Sequence, residues 1–140
     1  MPAAAELAGK AIEQAGAGAR VIAVAGDFRT DAFPGKHDAV MFSRVLADWP
    51  PALCRELLKK AHDVLEEGGR LIICEPLADQ NPALAIAWEQ SYLPYDDFGI
   101  QVYKPLSAYE EMLAETGFRI VEVHPRDATT IHCVILAERA

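Results

Sequence analysis

Long apolar runs, clustered basic residues and paired cysteines are all scarce in this sequence. No stretch approaches the roughly 20 consecutive apolar residues that a membrane-spanning helix needs, and the first twenty residues are interrupted by Glu6, Lys10, Glu13 and Gln14. Neither a membrane span nor a secretory leader is therefore expected. Lys and Arg number 13 against 21 Asp and Glu, a formal net charge of -8. Phosphate backbones are held by clustered cations, so nucleic acid is excluded as a main partner. The three cysteines, Cys54, Cys74 and Cys133, are far apart and odd in number. With no CxxC and no Cys/His cluster at ligand spacing, neither a disulfide framework nor a metal centre is expected. Free thiols in a reducing, cytoplasmic setting are the reading. No internal repeat or low-complexity segment stands out.

What is present is core-forming material. Of 140 residues, 51% are hydrophobic, which suits one domain spanning residues 1–140. Residues 2–15 are rich in Ala and carry Leu7, Ala11 and Ile12 near one face, which predicts a helix stopped by Gly16 and Gly18. Residues 20–25 (RVIAVA) and 38–43 (DAVMFS) predict short buried strands. Pro50 and Pro51 open a helix in which Leu53, Leu57, Leu58, Ala61, Val64 and Leu65 recur at helical spacing, with Glu66 to Gly69 closing it. Residues 70–75 (RLIICE) are the strongest buried strand, apolar on both faces as parallel strands are. Further helices are expected at 82–93 and 106–116, the second with Ser107 as N-cap and Gly117 just past its end. Strands at 118–124 and 130–138 follow, joined by a turn at Pro125, Arg126 and Asp127. Helices separate most strands, so the expected class is α/β, in three layers.

The segments AGDF (25–28), SRVLADW (43–49), GGRLIICEP (68–76) and ETGF (115–118), in this order and at these intervals, resemble the class I, S-adenosylmethionine-dependent small-molecule O-methyltransferases of the plant and bacterial type. That family includes caffeate, hydroxyindole, carotenoid and polyketide-tailoring enzymes. The resemblance implies a Rossmann-like, mostly parallel sheet with an antiparallel last strand and helices on both faces. It further implies that this chain carries the carboxyl-terminal part of such a domain, without its first two strands, the glycine-rich cofactor loop and the N-terminal dimerisation domain. The only glycine-rich stretch, GAGAR at 16–20, precedes a predicted strand. A dinucleotide-type fingerprint must instead follow a strand and open a helix.

The resemblance also assigns roles. Asp27 matches a carboxylate that reads the adenine amine of S-adenosylmethionine, and Phe28 a side chain that covers the ring. Ser43, at the carboxyl end of a strand where ligands of open α/β sheets gather, and Trp49 match further cofactor-contacting positions. Glu75 matches a carboxylate that orients a catalytic histidine, but the position of that histidine is Ala47 in this chain, and a second catalytic glutamate is replaced by Tyr103. A phenol of pKa near ~10 is a poor nucleophile at neutral pH, and base assistance typically gives about 10²–10⁴-fold; an alanine methyl supplies none. The segment 77–105, with Trp88, Tyr92, Tyr95, Phe98 and Tyr103, matches the acceptor pocket, and its aromatic character suits a flat acceptor. His37, His62, His124 and His132 are read as structural or surface residues.

Two functions are open at this point. One is O-methylation of a small aromatic or polyene hydroxyl by S-adenosylmethionine. The other is a non-catalytic remnant, or one piece of a split enzyme that works with a partner chain. Either is expected to form a homo-oligomer or to associate with a chain supplying further strands.

Overall fold

A computed structural model describes residues 2–92, 103–127 and 129–140. The chain divides into two units, residues 1–32 and 33–140.

The first unit holds helix α1 (Pro2–Gln14). Its Ala-rich composition has high intrinsic helix propensity, and Lys10 pairs with Glu6 one turn back at 2.8 Å. Gly16, at φ +65, ends it, its N–H donating to the Glu13 carbonyl at 2.9 Å. The strand expected at 20–25 does not form. The Arg20 and Val21 N–H groups instead donate back to the Ala17 carbonyl, at 2.9 and 3.0 Å. A strand exists only by pairing, and among the described residues this segment joins no ladder. Its apolar side chains stay outside, Ile22 being 83% exposed.

The second unit is built from β1 (His37–Ser43), α2 (Pro51–Val64), β2 (Leu65–Glu75), α3 (Pro82–Tyr92), α4 (Leu106–Glu115), β3 (Phe118–His124) and β4 (Cys133–Arg139). The four strands form one sheet in the order β1-β2-β4-β3. β1 runs parallel to β2, and β4 is antiparallel to both β2 and β3. The last strand is thus the reversed one, as expected.

Side chains alternate across the strands. Phe42, Leu71, Ile73, Cys133, Ile135 and Ala137 point to one face, where they meet Leu57, Leu58 and Cys54 of α2 and Tyr109, Met112 and Leu113 of α4 in a single core. Burying each large apolar side chain of this kind contributes roughly 1.5–3 kcal/mol before ordering costs. On the opposite face Ile72 and Cys74 are half-buried and Met41 is exposed, so RLIICE alternates in burial rather than being equally covered on both faces.

Two local expectations are corrected. Helix α2 ends at Val64, and the run Glu66 to Gly69 belongs to the irregular start of β2, where the register passes from His37 opposite Leu65 to Ala39 opposite Arg70. The extra residues need glycine: Gly68 sits at φ +71, and a Cβ on Gly69 would lie 2.8 Å from the Glu66 carbonyl oxygen. Helix α4 starts at Leu106 with the extended Pro105 as its N-cap, so Ser107 lies inside the helix and caps nothing. Its far end follows expectation, with Gly117 at φ +85 just past the Thr116 C-cap.

Of the cysteines, Cys54 and Cys133 are buried, Cys74 is half-buried, and all three are free. His62 packs edge-on against Phe118, ring centroids 5.6 Å apart. His124 lies opposite Val134 in the hairpin and contacts Glu122 at 3.3 Å. No helix among the described residues is long and apolar enough to cross a membrane.

Candidate functional site

Parallel β1 and β2 end side by side, Ser43 opposite Cys74 and next to Glu75. The chain leaves β1 through Arg44, the one non-glycine residue among those described with positive φ (+53). That conformation costs an L-residue energy and must be enforced by its surroundings. The Arg44 N–H still reaches the Cys74 carbonyl at 3.2 Å. A short 3₁₀ turn, Leu46–Asp48, then carries the chain to Trp49 and into α2.

Three buried side chains hold that turn. Glu75, fully buried at the end of β2, accepts the N–H groups of Val45 at 2.7 Å and Leu46 at 2.9 Å on Oε1. Lys104, 1% exposed, donates from Nζ to the Leu46 carbonyl at 2.8 Å and to that of Ala47 at 3.3 Å. The Cys54 thiol donates to the Leu46 and Trp49 carbonyls at 3.3 and 3.4 Å. A carboxylate thus meets the amino end of the turn, while an ammonium and a thiol meet its carbonyls. This is the polarity that a turn's unpaired backbone groups favour.

Burial shifts the ionisable groups here. It pushes the Glu75 carboxyl up to about 7, against the N–H groups of Val45, Leu46 and Ala47, which favour the ionised form. It pulls the Lys104 ammonium down, against the charges of Cys54, Glu75 and Asp48. It pushes up the Cys54 thiol and the Tyr109 phenol. Glu75 Oε2 and the Tyr109 hydroxyl are buried and make no hydrogen bond among the described residues.

The side chains singled out from the sequence fall into several places. Ser43 is exposed at the end of β1, and Trp49 is half-buried, packed against the core. Ala47 is buried in a small apolar cluster with Ala85 of α3 and Tyr103. The two positions at which the catalytic pattern is altered are therefore packed together. Glu75 is engaged with backbone N–H groups of the turn. Trp88 and Tyr92 belong to α3, but their side chains, like the whole of Tyr95 and Phe98, lie outside the described residues.

Asp27 and Phe28 belong to the first unit. There Arg29 grips both carboxylate oxygens of Asp27, Nη2 to Oδ2 at 2.9 Å and Nε to Oδ1 at 3.1 Å. The Arg29 side chain, then its backbone N–H, holds the Asp27 carboxyl down at about 2. Phe28 is 38% exposed.

Lys104, Cys54 and Tyr109 escaped the reading of the sequence. An isolated Lys before Pro105, a Cys on a helix and a Tyr at a helical core position carry no local signal. Lys104 and Cys54 meet on the Leu46 carbonyl, which lies 58 residues from Lys104.

Comparison with known proteins agrees with this architecture. The sequence model described as the O-methyltransferase domain matches residues 1–119. The chain is 33% identical to the L-tyrosine C(3)-methyltransferase of Streptomyces lavendulae over 99% of its own length and 39% of that protein. It is 38% identical to the 3-hydroxy-5-methyl-1-naphthoate 3-O-methyltransferase of Streptomyces sahachiroi, over 58% of this chain and 24% of that one. Among solved structures, the S-adenosylmethionine-dependent methyltransferase SibL in its apo form superposes with a TM-score of 0.83 at 33% identity, covering 99% of this chain and 41% of SibL. The chain thus spans about two fifths of the length of relatives that it matches end to end.

Proposed function

The chain belongs to the O-methyltransferase domain family, and from that premise we propose that residues 1–140 form part of one methyltransferase domain that binds S-adenosylmethionine and presents it to a small aromatic or polyene hydroxyl. The observation that carries the proposal is the meeting of the β1 and β2 carboxyl ends around a strained, internally clamped turn, at the place where open α/β sheets hold their ligands. SibL, similar over the whole of this chain, is named as dependent on that cofactor.

Bound S-adenosylmethionine would supply a methyl group on a positively charged sulfur, ready for direct transfer to a nucleophile. The residues present fit the rest of the molecule in kind. In this reading the exposed Ser43 hydroxyl offers a hydrogen bond to polar groups of the cofactor, and the Trp49 indole an apolar flank for a flat ring. Asp27 would accept the adenine amine while sharing its oxygens with Arg29, and Phe28 would lie on the ring. Trp88, Tyr92, Tyr95, Phe98 and Tyr103 are the proposed acceptor-binding residues. Glu75, the candidate catalytic carboxylate, acts in this reading on the turn and not on the acceptor. Ala47 takes no proton, so in this reading the hydroxyl proton passes to solvent, before or after the oxygen attacks the methyl group, and catalysis would rest on holding the two reactants together.

The relatives' names cover transfer to carbon, to oxygen and to nitrogen. The hydroxyl acceptor is favoured by the family description and by the naphthoate relative, whose name specifies transfer to oxygen. The free thiols favour the cytoplasm. The proposed macromolecular partner is a second copy of this chain or a chain that supplies further strands. The rival reading, a non-catalytic or split-enzyme piece, is favoured by the alanine at position 47.

Amide resonances of the labelled chain test the site. Added S-adenosylmethionine should move Asp27, Phe28, Ser43 and Trp49 while leaving β3 in place. Perturbation confined to other residues would remove these four from the site.

A further inference from the structure

We propose that Lys104 is a positioning residue: its ammonium, working opposite Glu75, locks the 44–49 turn in the strained form that sets Ser43 and Trp49, and so ties the segment leading into α4 to the candidate cofactor side of the sheet.

The backbone geometry carries the argument. The turn has donors at its amino end and acceptors at its carboxyl end. Glu75 takes the N–H groups of Val45 and Leu46, and Lys104 gives to the carbonyls of Leu46 and Ala47. Neither group reaches the turn from a sequence neighbour: Glu75 is 29 residues from Leu46 and Lys104 is 58. Arg44, immediately before the turn, sits at φ +53, which a free loop would relax.

Lys104 is anchored at its own backbone too, its carbonyl accepting the Ala78 N–H at 3.1 Å. One residue therefore links the end of β1, the chain after β2 and the entry to α4. A long cation is costly to bury and is stable only with hydrogen bonds and countercharge. Here the two carbonyls supply the hydrogen bonds and Asp48 a countercharge. An apolar side chain of the same length would fill the space at less cost, so the charge has a use beyond filling it. Cys54 adds a third contact on Leu46 and continues to Trp49, and Tyr109 brings a buried hydroxyl to the same core.

The cofactor arm of the test rests on the function proposed above; the exchange arm does not. Lys104→Met keeps the stem and removes the charge, and Lys104→Arg restores a cation. Hydrogen exchange is read residue by residue in the full chain. In Lys104→Met the amides of Val45 and Leu46 should exchange about tenfold faster or more, with Ile73 and Ile135 of the sheet unchanged, and Lys104→Arg should recover most of that protection. S-adenosylmethionine affinity should fall about tenfold in Lys104→Met and return in Lys104→Arg. Unchanged exchange at 45–46 would overturn the proposal. So would equal loss at Ile73 and Ile135, which would make Lys104 a residue of global stability. If the unaltered chain binds no S-adenosylmethionine, the function reading fails and the exchange arm alone decides the role of Lys104.

Discussion

At the scale of single residues, Glu75 is the group whose charge state matters most. Burial holds its folded-state carboxyl at about 7, above the ordinary 4.5. The folded chain therefore keeps a proton that the unfolded chain has lost between those values. The sign follows from linkage: stability from this group is complete below about 4.5 and is lost as pH rises through about 7. The effect is on the order of 3 kcal/mol at most. Urea unfolding between pH 5 and 8 should show stability falling with pH. Glu75→Gln, which stays neutral, should flatten that slope, at the cost of one weaker acceptor for Val45 and Leu46. A slope unchanged in Glu75→Gln would assign the pH dependence to another group. Asp27 has the opposite sign, since its carboxyl is held down at about 2, but its contribution changes only below pH 4. Little of this was legible in the sequence. Glu75 was visible as the end of an apolar strand, and its sequence match pointed to orienting a histidine. The partners it has in this chain, backbone N–H groups 29 and 30 residues away, are set by how the strand ends meet. No periodicity encodes that.

At the scale of elements, helices and strands with strong local patterns were readable. Helix α2 announces itself through Pro51 at its start and five buried residues at helical spacing, and β2 through its apolar run. The errors fall where pairing or one dihedral angle decides. Ser107 has the chemistry of an N-cap, but Pro105 already holds the extended geometry one residue before the helix. Residues 20–25 have the composition of a strand and no ladder. With Val21, Ile22 and Val24 exposed, this segment is the proposed place of self-association, because an exposed apolar run outside any ladder among the described residues can serve as a template for pairing and like segments on two copies can close by two-fold symmetry. Light scattering over a dilution series should give the mass of two copies. Ile22→Asp, a charge placed in that run, should give the mass of one. A single-copy mass for the unaltered chain at every concentration would contradict the prediction.

At the scale of the whole molecule, the family and the α/β class were recoverable from four short segments in order. The deployment of the site was not. The candidate residues lie in two separate units, and two of the side chains that hold the 46–48 turn, Glu75 and Lys104, come from 29 and 58 residues away from Leu46. The central proposal is that this chain, about two fifths the length of its relatives, contributes Asp27, Phe28, Ser43 and Trp49 to an S-adenosylmethionine site. Calorimetric titration of the purified chain tests this most directly. Saturable binding is expected at one molecule per chain, in the range of about 1–100 μM, displaced by S-adenosylhomocysteine and weakened by Trp49→Ala. The absence of saturable heat at ligand concentrations of about 1 mM, with the sheet shown to be folded, would contradict it.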